Sequence, residues 1–105
     1  MLKLLYATFG SEEEAITIAK ILLAEKLIAC ANVFGDSTSI YSWEGDVKQQ
    51  QEVILFAKTT NEKYLHAIEK IKELHSYELP CIIILPIEAG FAPFIEWVKN
   101  ETVKQ

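Results

Sequence analysis

The segment from Leu27 to Thr60 reads as two strands folded back on each other, and it is long for a chain of 105 residues. The first arm starts at Ile28-Ala29-Cys30-Ala31-Asn32-Val33-Phe34, bends at Gly35-Asp36 and continues as Thr38-Ser39-Ile40-Tyr41-Ser42-Trp43. Glu44-Gly45-Asp46 supplies the turn, since glycine accepts the positive φ of a tight hairpin. The return arm runs from Val47 to Lys58, polar as far as Glu52 and apolar from Val53 to Ala57. At about 3.3 Å per residue, a strand of about 12 residues spans roughly 40 Å. A compact domain of about 100 residues has a radius of gyration near 13 Å. The tip therefore overhangs, curls, or lies on another copy of the molecule. Tyr41 and Trp43 stand two apart and so point the same way. They suit an anchor in a partner's pocket, or else they fold back onto their own sheet.

The rest of the chain supplies what the hairpin packs on. Lys3 to Phe9 reads as a first strand ended by Gly10. Ser11 with Glu14 forms a capping box, and Ala15, Ile18, Ala19, Leu22 and Leu23 repeat at helical spacing to about Lys26. After the hairpin, Thr59 with Glu62 reads as a second capping box, and Leu65, Ile68, Ile71 and Leu74 form the stripe of a second helix that ends near His75-Ser76-Tyr77. Cys81 to Leu85 is a last strand stopped by Pro86. Pro93 fits the first turn of a short helix presenting Phe94, Trp97 and Val98, and 101–105 is a polar tail ending at Gln105.

The order β-α-β-β-α-β predicts an α+β ferredoxin-like sandwich with an extended hairpin and a short C-terminal helix, a single domain over 1–105. Right-handed crossovers place the first and third strands centrally, with the second and fourth at the edges. Both long helices then cover one face. The other face should alternate polar with apolar if it met water, yet Val53–Ala57 and Cys81–Leu85 are apolar throughout. This predicts a homo-oligomer.

Charge and composition remove several function classes. A net charge of −5 argues against nucleic-acid and anionic-membrane partners. All ten basic residues are lysines, so the chain has no guanidinium clamp for phosphate. No run of 18 apolar residues and no charged-then-apolar leader is present, which predicts neither a membrane span nor export. The two cysteines, Cys30 and Cys81, make no disulfide framework and read as reduced thiols in a cytoplasmic protein. No P-loop, G-x-G-x-x-G or nucleophile with an obvious base points to an enzyme.

Several residues are candidates for chemistry. Tyr77 and Glu78 with Tyr41 suit a polar pocket at a subunit boundary, and Trp43 and Trp97 are further interface aromatics. Cys30 and Cys81 read as buried small hydrophobes, with a soft-metal or redox pair across an interface as the alternative. His75 follows the second helix, where a cap role competes with metal ligation. Its helical neighbour His66 lies about 13 Å away and shares no ligand geometry with it.

Taken in order, Cys30-Ala31-Asn32, Ser39-Ile40-Tyr41 with Trp43 and Gly45, Lys58-Thr59-Thr60, Leu74-His75 with Tyr77-Glu78 and Pro80, then Pro86, Gly90 and Trp97 resemble the CutA divalent-cation-tolerance proteins across nearly the whole chain. The resemblance implies a non-enzymatic cytoplasmic homotrimer joined through its long hairpin strands and linked to tolerance of copper and other divalent metals. In some members a copper site is assigned to a cysteine at the end of the first strand and to two adjacent histidines. The matching positions here are Ala7 and Leu74-His75, so only His75 carries over. Ser76 replaces the usual proline, and Cys81 stands where many members carry a carboxylate. One imidazole does not make a site, because copper or zinc takes three or four ligands. No cofactor is fixed by these residues, and copper or another divalent metal is the candidate. The alternative is a trimeric signalling module like the PII proteins, with a small ligand at the subunit clefts.

Overall fold

The computed structural model describes residues 1–103. Its elements run β1 (Leu2–Phe9), α1 (Glu12–Ala24), β2 (Cys30–Trp43), β3 (Asp46–Thr60), α2 (Tyr64–Leu74), β4 (Ile82–Ile87) and α3 (Ala92–Glu101). The four strands form one antiparallel sheet in the order β2-β3-β1-β4, with β1 and β3 central as the crossover rule required. No helix among the described residues is long and apolar enough to cross a membrane.

The hairpin dominates the shape. Strands of 14 and 15 residues stretch the molecule to 45 × 25 × 21 Å, with a radius of gyration of 14.4 Å. At the tip, Glu44 and Gly45 both adopt positive φ, 49° and 85°, between the paired residues Trp43 and Asp46. That is the two-residue turn whose twist matches the strands it joins. At the bend, Phe34 pairs with Ile54 and the next partner of β3, Glu52, pairs with Ser37. Three steps on β2 thus match two on β3, and Asp36 takes φ 62° to absorb the extra residue.

α1 begins at its expected N-cap, with the Glu14 N–H donating to Ser11 Oγ at 3.1 Å, while the Glu14 carboxylate bonds Ser76 instead of closing the capping box. It ends at Ala24, two residues before Lys26. Lys26 sits at φ 59°, its N–H bonds the Leu23 carbonyl, and the Leu27 N–H reaches back to Leu22 at 2.9 Å. This is a Schellman stop built with lysine where glycine is usual.

Two expectations about the second half are corrected. Thr59 caps no helix: β3 continues through Thr60, and the Thr59 hydroxyl is buried and donates to the Leu27 carbonyl at 2.6 Å. α2 instead starts at Tyr64 without a side-chain cap. Pro86 does not stop β4, which runs to Ile87 with Pro86 opposite Lys3. An edge strand tolerates proline because its outward side has no ladder partner to lose. In the tail, Glu101 closes α3 and Thr102 is buried with its hydroxyl donating to the Val98 carbonyl at 3.1 Å, while 104 and 105 lie outside the described residues.

The core lies between the sheet and the two long helices. Leu5, Ala7 and Phe9 of β1 and Leu55 and Ala57 of β3 meet Ala15, Ile18 and Leu22 of α1 and Ala67 and Ile71 of α2. On the opposite face α3 covers only one end, where Val98 and Ile95 pack on Leu2, Ala29 and Ile87. Beyond α3 that face is bare and apolar. Tyr6, Phe56 and Phe34 form an aromatic row with centroid spacings of 5.4 and 5.9 Å. Phe34, Ile83 and Leu85 are 46, 50 and 44% exposed.

Candidate functional site

The extra residue at the bend decides which side chains of the outer hairpin meet. Before the bend, even-numbered residues of β2 share the bare face with Ile54 and Phe56. After it, odd-numbered residues do, so Ser39 and Tyr41 stand beside Gln50 and Glu52. A connected polar network results. Tyr41 donates its hydroxyl proton to Gln50 Oε1 at 2.7 Å, and Gln50 Nε2 donates to the Tyr77 hydroxyl at 2.9 Å and to Glu52 Oε2 at 3.2 Å. Ser39 donates to Glu52 Oε1 at 2.6 Å. Glu52 is 9% exposed.

Tyr77 reaches this network across the end of β1, where the lack of a side chain on Gly10 makes room. A Cβ there would lie 3.3 Å from the Tyr77 hydroxyl. Its backbone is held by the residues before it. The Tyr77 N–H donates to His75 Nδ1 at 3.0 Å, and His75 Nε2 lies 2.8 Å from the Thr8 carbonyl. A carbonyl only accepts and an amide N–H only donates, so the ring is the neutral form with its proton on Nε2. The imidazole also stacks on Phe9, centroids 4.6 Å apart at 12°. Glu14 completes the anchor by accepting from the Ser76 N–H at 2.7 Å and its hydroxyl at 3.0 Å.

These side chains bound a cleft of about 700 Å³ between the outer hairpin and 77–81. Of the residues singled out from sequence, Tyr41, Trp43, Tyr77, Glu78 and Cys81 line it. Tyr6, Thr8, Gln50 and Glu52 line it as well. Trp97 does not belong to it: α3 packs at the Leu2 end of the bare face, and Trp97 leans on Phe94 at 5.6 Å. Cys30 starts β2 on one edge of the sheet, in a row with Lys58, Leu4 and Leu85, whereas Cys81 precedes β4 on the other edge. Both thiols are free. His75 stands behind the cleft with both ring nitrogens bonded to backbone, so a metal at either nitrogen must first displace one of those bonds. Among the described residues, no three His, Cys, Asp or Glu side chains gather where one metal ion would be held.

Burial and the Glu52 carboxylate raise the proton affinity of the groups around the cleft. The Tyr77 phenol is pushed up to about 12 by burial, then by its hydrogen bond to and the charge of Glu52. Burial lifts Tyr6, with the charges of Cys81 and Glu52 adding to it. Cys81 rises by burial and by Glu52, against a hydrogen bond with Thr8 that pulls it down. For Tyr77 the folded value lies above the unfolded one, so its stabilising contribution is complete below about pH 10. It is lost as pH climbs toward 12, because the unfolded chain releases this proton first. Urea unfolding between pH 9 and pH 12 should show wild type losing stability faster than Tyr77→Phe; parallel slopes would contradict the shift.

The family model for CutA1 divalent ion tolerance proteins matches residues 3–101. The chain belongs to the CutA1 family. Similar proteins include the divalent-cation tolerance protein CutA of Thermus thermophilus, 43% identical over 90% of this chain and 92% of that one. The protein of the same name from Archaeoglobus fulgidus is 42% identical over 95% and 96%. Solved structures of the same fold include CutA1 of Thermus thermophilus (TM-score 0.95, 41% identity, 98% of this chain and 100% of that chain). The Archaeoglobus fulgidus structure, described as a periplasmic divalent cation tolerance protein, gives TM-score 0.95 at 39% identity, again over 98% and 100%. This CutA-family chain therefore has the ferredoxin-like arrangement expected from its element order, with α3 added.

Proposed function

We propose that this chain is a non-enzymatic CutA-like protein of one domain, 1–105, that works as a cytoplasmic homotrimer in tolerance of divalent metal ions, copper among them. The bare sheet face carries this reading. An aromatic row flanked by half-exposed Ile83 and Leu85 costs free energy in water, at roughly 25 cal/mol per Å² of apolar area, and burial against other copies recovers it. The long hairpin gives each copy an arm with which to reach its neighbours. The names of the relatives supply the link to divalent cations, and two free thiols on opposite edges of the sheet suit a reducing compartment.

Light scattering on the purified protein at micromolar concentration tests the assembly: the expected mass is three times the 11.9 kDa of one chain, and a lone subunit would overturn the reading. A calorimetric titration with copper(II) tests the metal part. Saturation at a fixed ratio of copper to chain supports it, and no heat of binding through the millimolar range removes it.

A further inference from the structure

Two opposite charges stand apart on the bare sheet face. Even-numbered residues of β3 point to that face, and the charged ones are Asp46 and Lys48 at the exposed tip, Glu52 midway and Lys58 at the inner end. The positions paired with them on β1, β2 and β4 carry no charge. Glu52 is 9% exposed already in one copy. Ser39, Gln50 and Tyr77 give its carboxylate three donors, and a carboxylate accepts about four. Lys58 is half-buried, and its ammonium donates to Asn32 Oδ1 with further protons to spare. Neither residue belongs to the two ion pairs among the described residues, Lys70–Glu25 and His75–Glu14. Within one copy they do not meet. Six positions along β3, at about 3.3 Å each, hold them roughly 20 Å apart.

Burying this face between copies takes both charges out of water, and a buried charge without a partner destabilises strongly. We propose that Lys58 of the partner subunit completes the Glu52 site, a pairing that rests on the assembly proposed above. The cleft between the outer hairpin and 77–81 is then finished by a neighbouring copy. In a closed ring of three, each chain gives Glu52 to one neighbour and Lys58 to the other, a head-to-tail contact that satisfies both. One chain leaves Glu52 short of a fourth donor and of any positive charge, and the partner's Lys58 supplies the two together. Lys48 fits worse, because it stands exposed at the tip and loses nothing by staying in water. The pair also sets register. Apolar side chains such as Ile54, Phe56 and Ile83 tolerate sliding, whereas one buried cation facing one buried acid admits a single docking position.

A double-substitution cycle on the assembled protein tests the pair. Light scattering across a urea series gives the association constant, extrapolated linearly to water. Lys58→Met and Glu52→Gln should each weaken association by about a hundredfold, the loss expected when a buried charge is deprived of its partner. The two together should weaken it little further than either alone. Residues roughly 20 Å apart in one chain act additively, so this coupling can arise only between copies. Lys58→Arg, which keeps the charge, should associate like wild type, and Lys48→Met should leave association unchanged. If Glu52→Gln does not fold, the contrast of Lys58→Met with those two variants decides. Additive losses, or wild-type association in Lys58→Met, would overturn the pair while the assembly stands. A wild type with the mass of one chain would remove the assembly itself, and the pair with it.

Discussion

Replacing Phe9 by alanine should lower the unfolding free energy by about 3–5 kcal/mol, the range for deleting a fully buried phenylalanine. Phe9 is wholly enclosed in the cluster under α1 and α2, and one face of its ring supports the His75 imidazole. A small domain holds only about 5–15 kcal/mol in total, so the loss is a large share of it. The damage should also reach the cleft. His75 carries the backbone of Tyr77 on Nδ1, and once the stacking partner is gone the ring is free to tilt. Tyrosine absorbance followed against pH should then show Tyr77 moving back toward its ordinary value from about 12. Denaturant unfolding read beside Phe94→Ala separates the effects, since Phe94 is 41% exposed on α3. A Phe9→Ala protein as stable as wild type would contradict the packing described.

Charging the bare sheet face should dissolve the assembly while leaving the fold intact. Phe34→Asp with Ile83→Asp places two carboxylates on positions that are 46 and 50% exposed in one copy. Neither contributes a fully buried side chain to its own core, so circular dichroism should match wild type. In an assembly that buries this face, each unpaired carboxylate costs several kcal/mol. Every 1.4 kcal/mol is tenfold in affinity, so association should weaken by about a thousandfold or more. Light scattering at micromolar concentration should then report single subunits. An unchanged mass would mean that the copies meet elsewhere.

The broad fold was legible because its signals are local or periodic. Ser11 and Glu14 announce α1, the apolar run from Val53 to Ala57 announces a strand, and element order alone places β1 and β3 centrally. Most of the misses depend on contacts remote in sequence. Thr59 has the right spacing to Glu62 for a cap, yet Leu27, 32 residues away, claims its hydroxyl. Lys26 stops a helix with a backbone angle that its residue type does not advertise. His75 does occupy the C-cap of α2, its N–H bonding the Ile71 carbonyl, but its ring is held by Thr8, 67 residues distant, rather than by the helix end. Tyr41, Tyr77 and Glu78 carry the aromatic and charged character of a pocket, but Gln50, the residue that joins the two tyrosines, stands among three consecutive glutamines with no local signal to mark it. Trp97 shares the aromatic character of Trp43 without sharing its location.

The irregularity at Gly35-Asp36 divides one continuous ribbon into two stretches in opposite phase. Near the helices, the ribbon shows them its odd-numbered residues on β2; past the irregularity, it hands those same odd positions to the cleft. Evolution of the cleft-facing stretch is thereby uncoupled from the interior-facing one, since substitutions at Ser39 or Tyr41 disturb no residue packed beneath α1. A length change at this point is another matter: it would leave the composition nearly untouched and turn every outer side chain over at once.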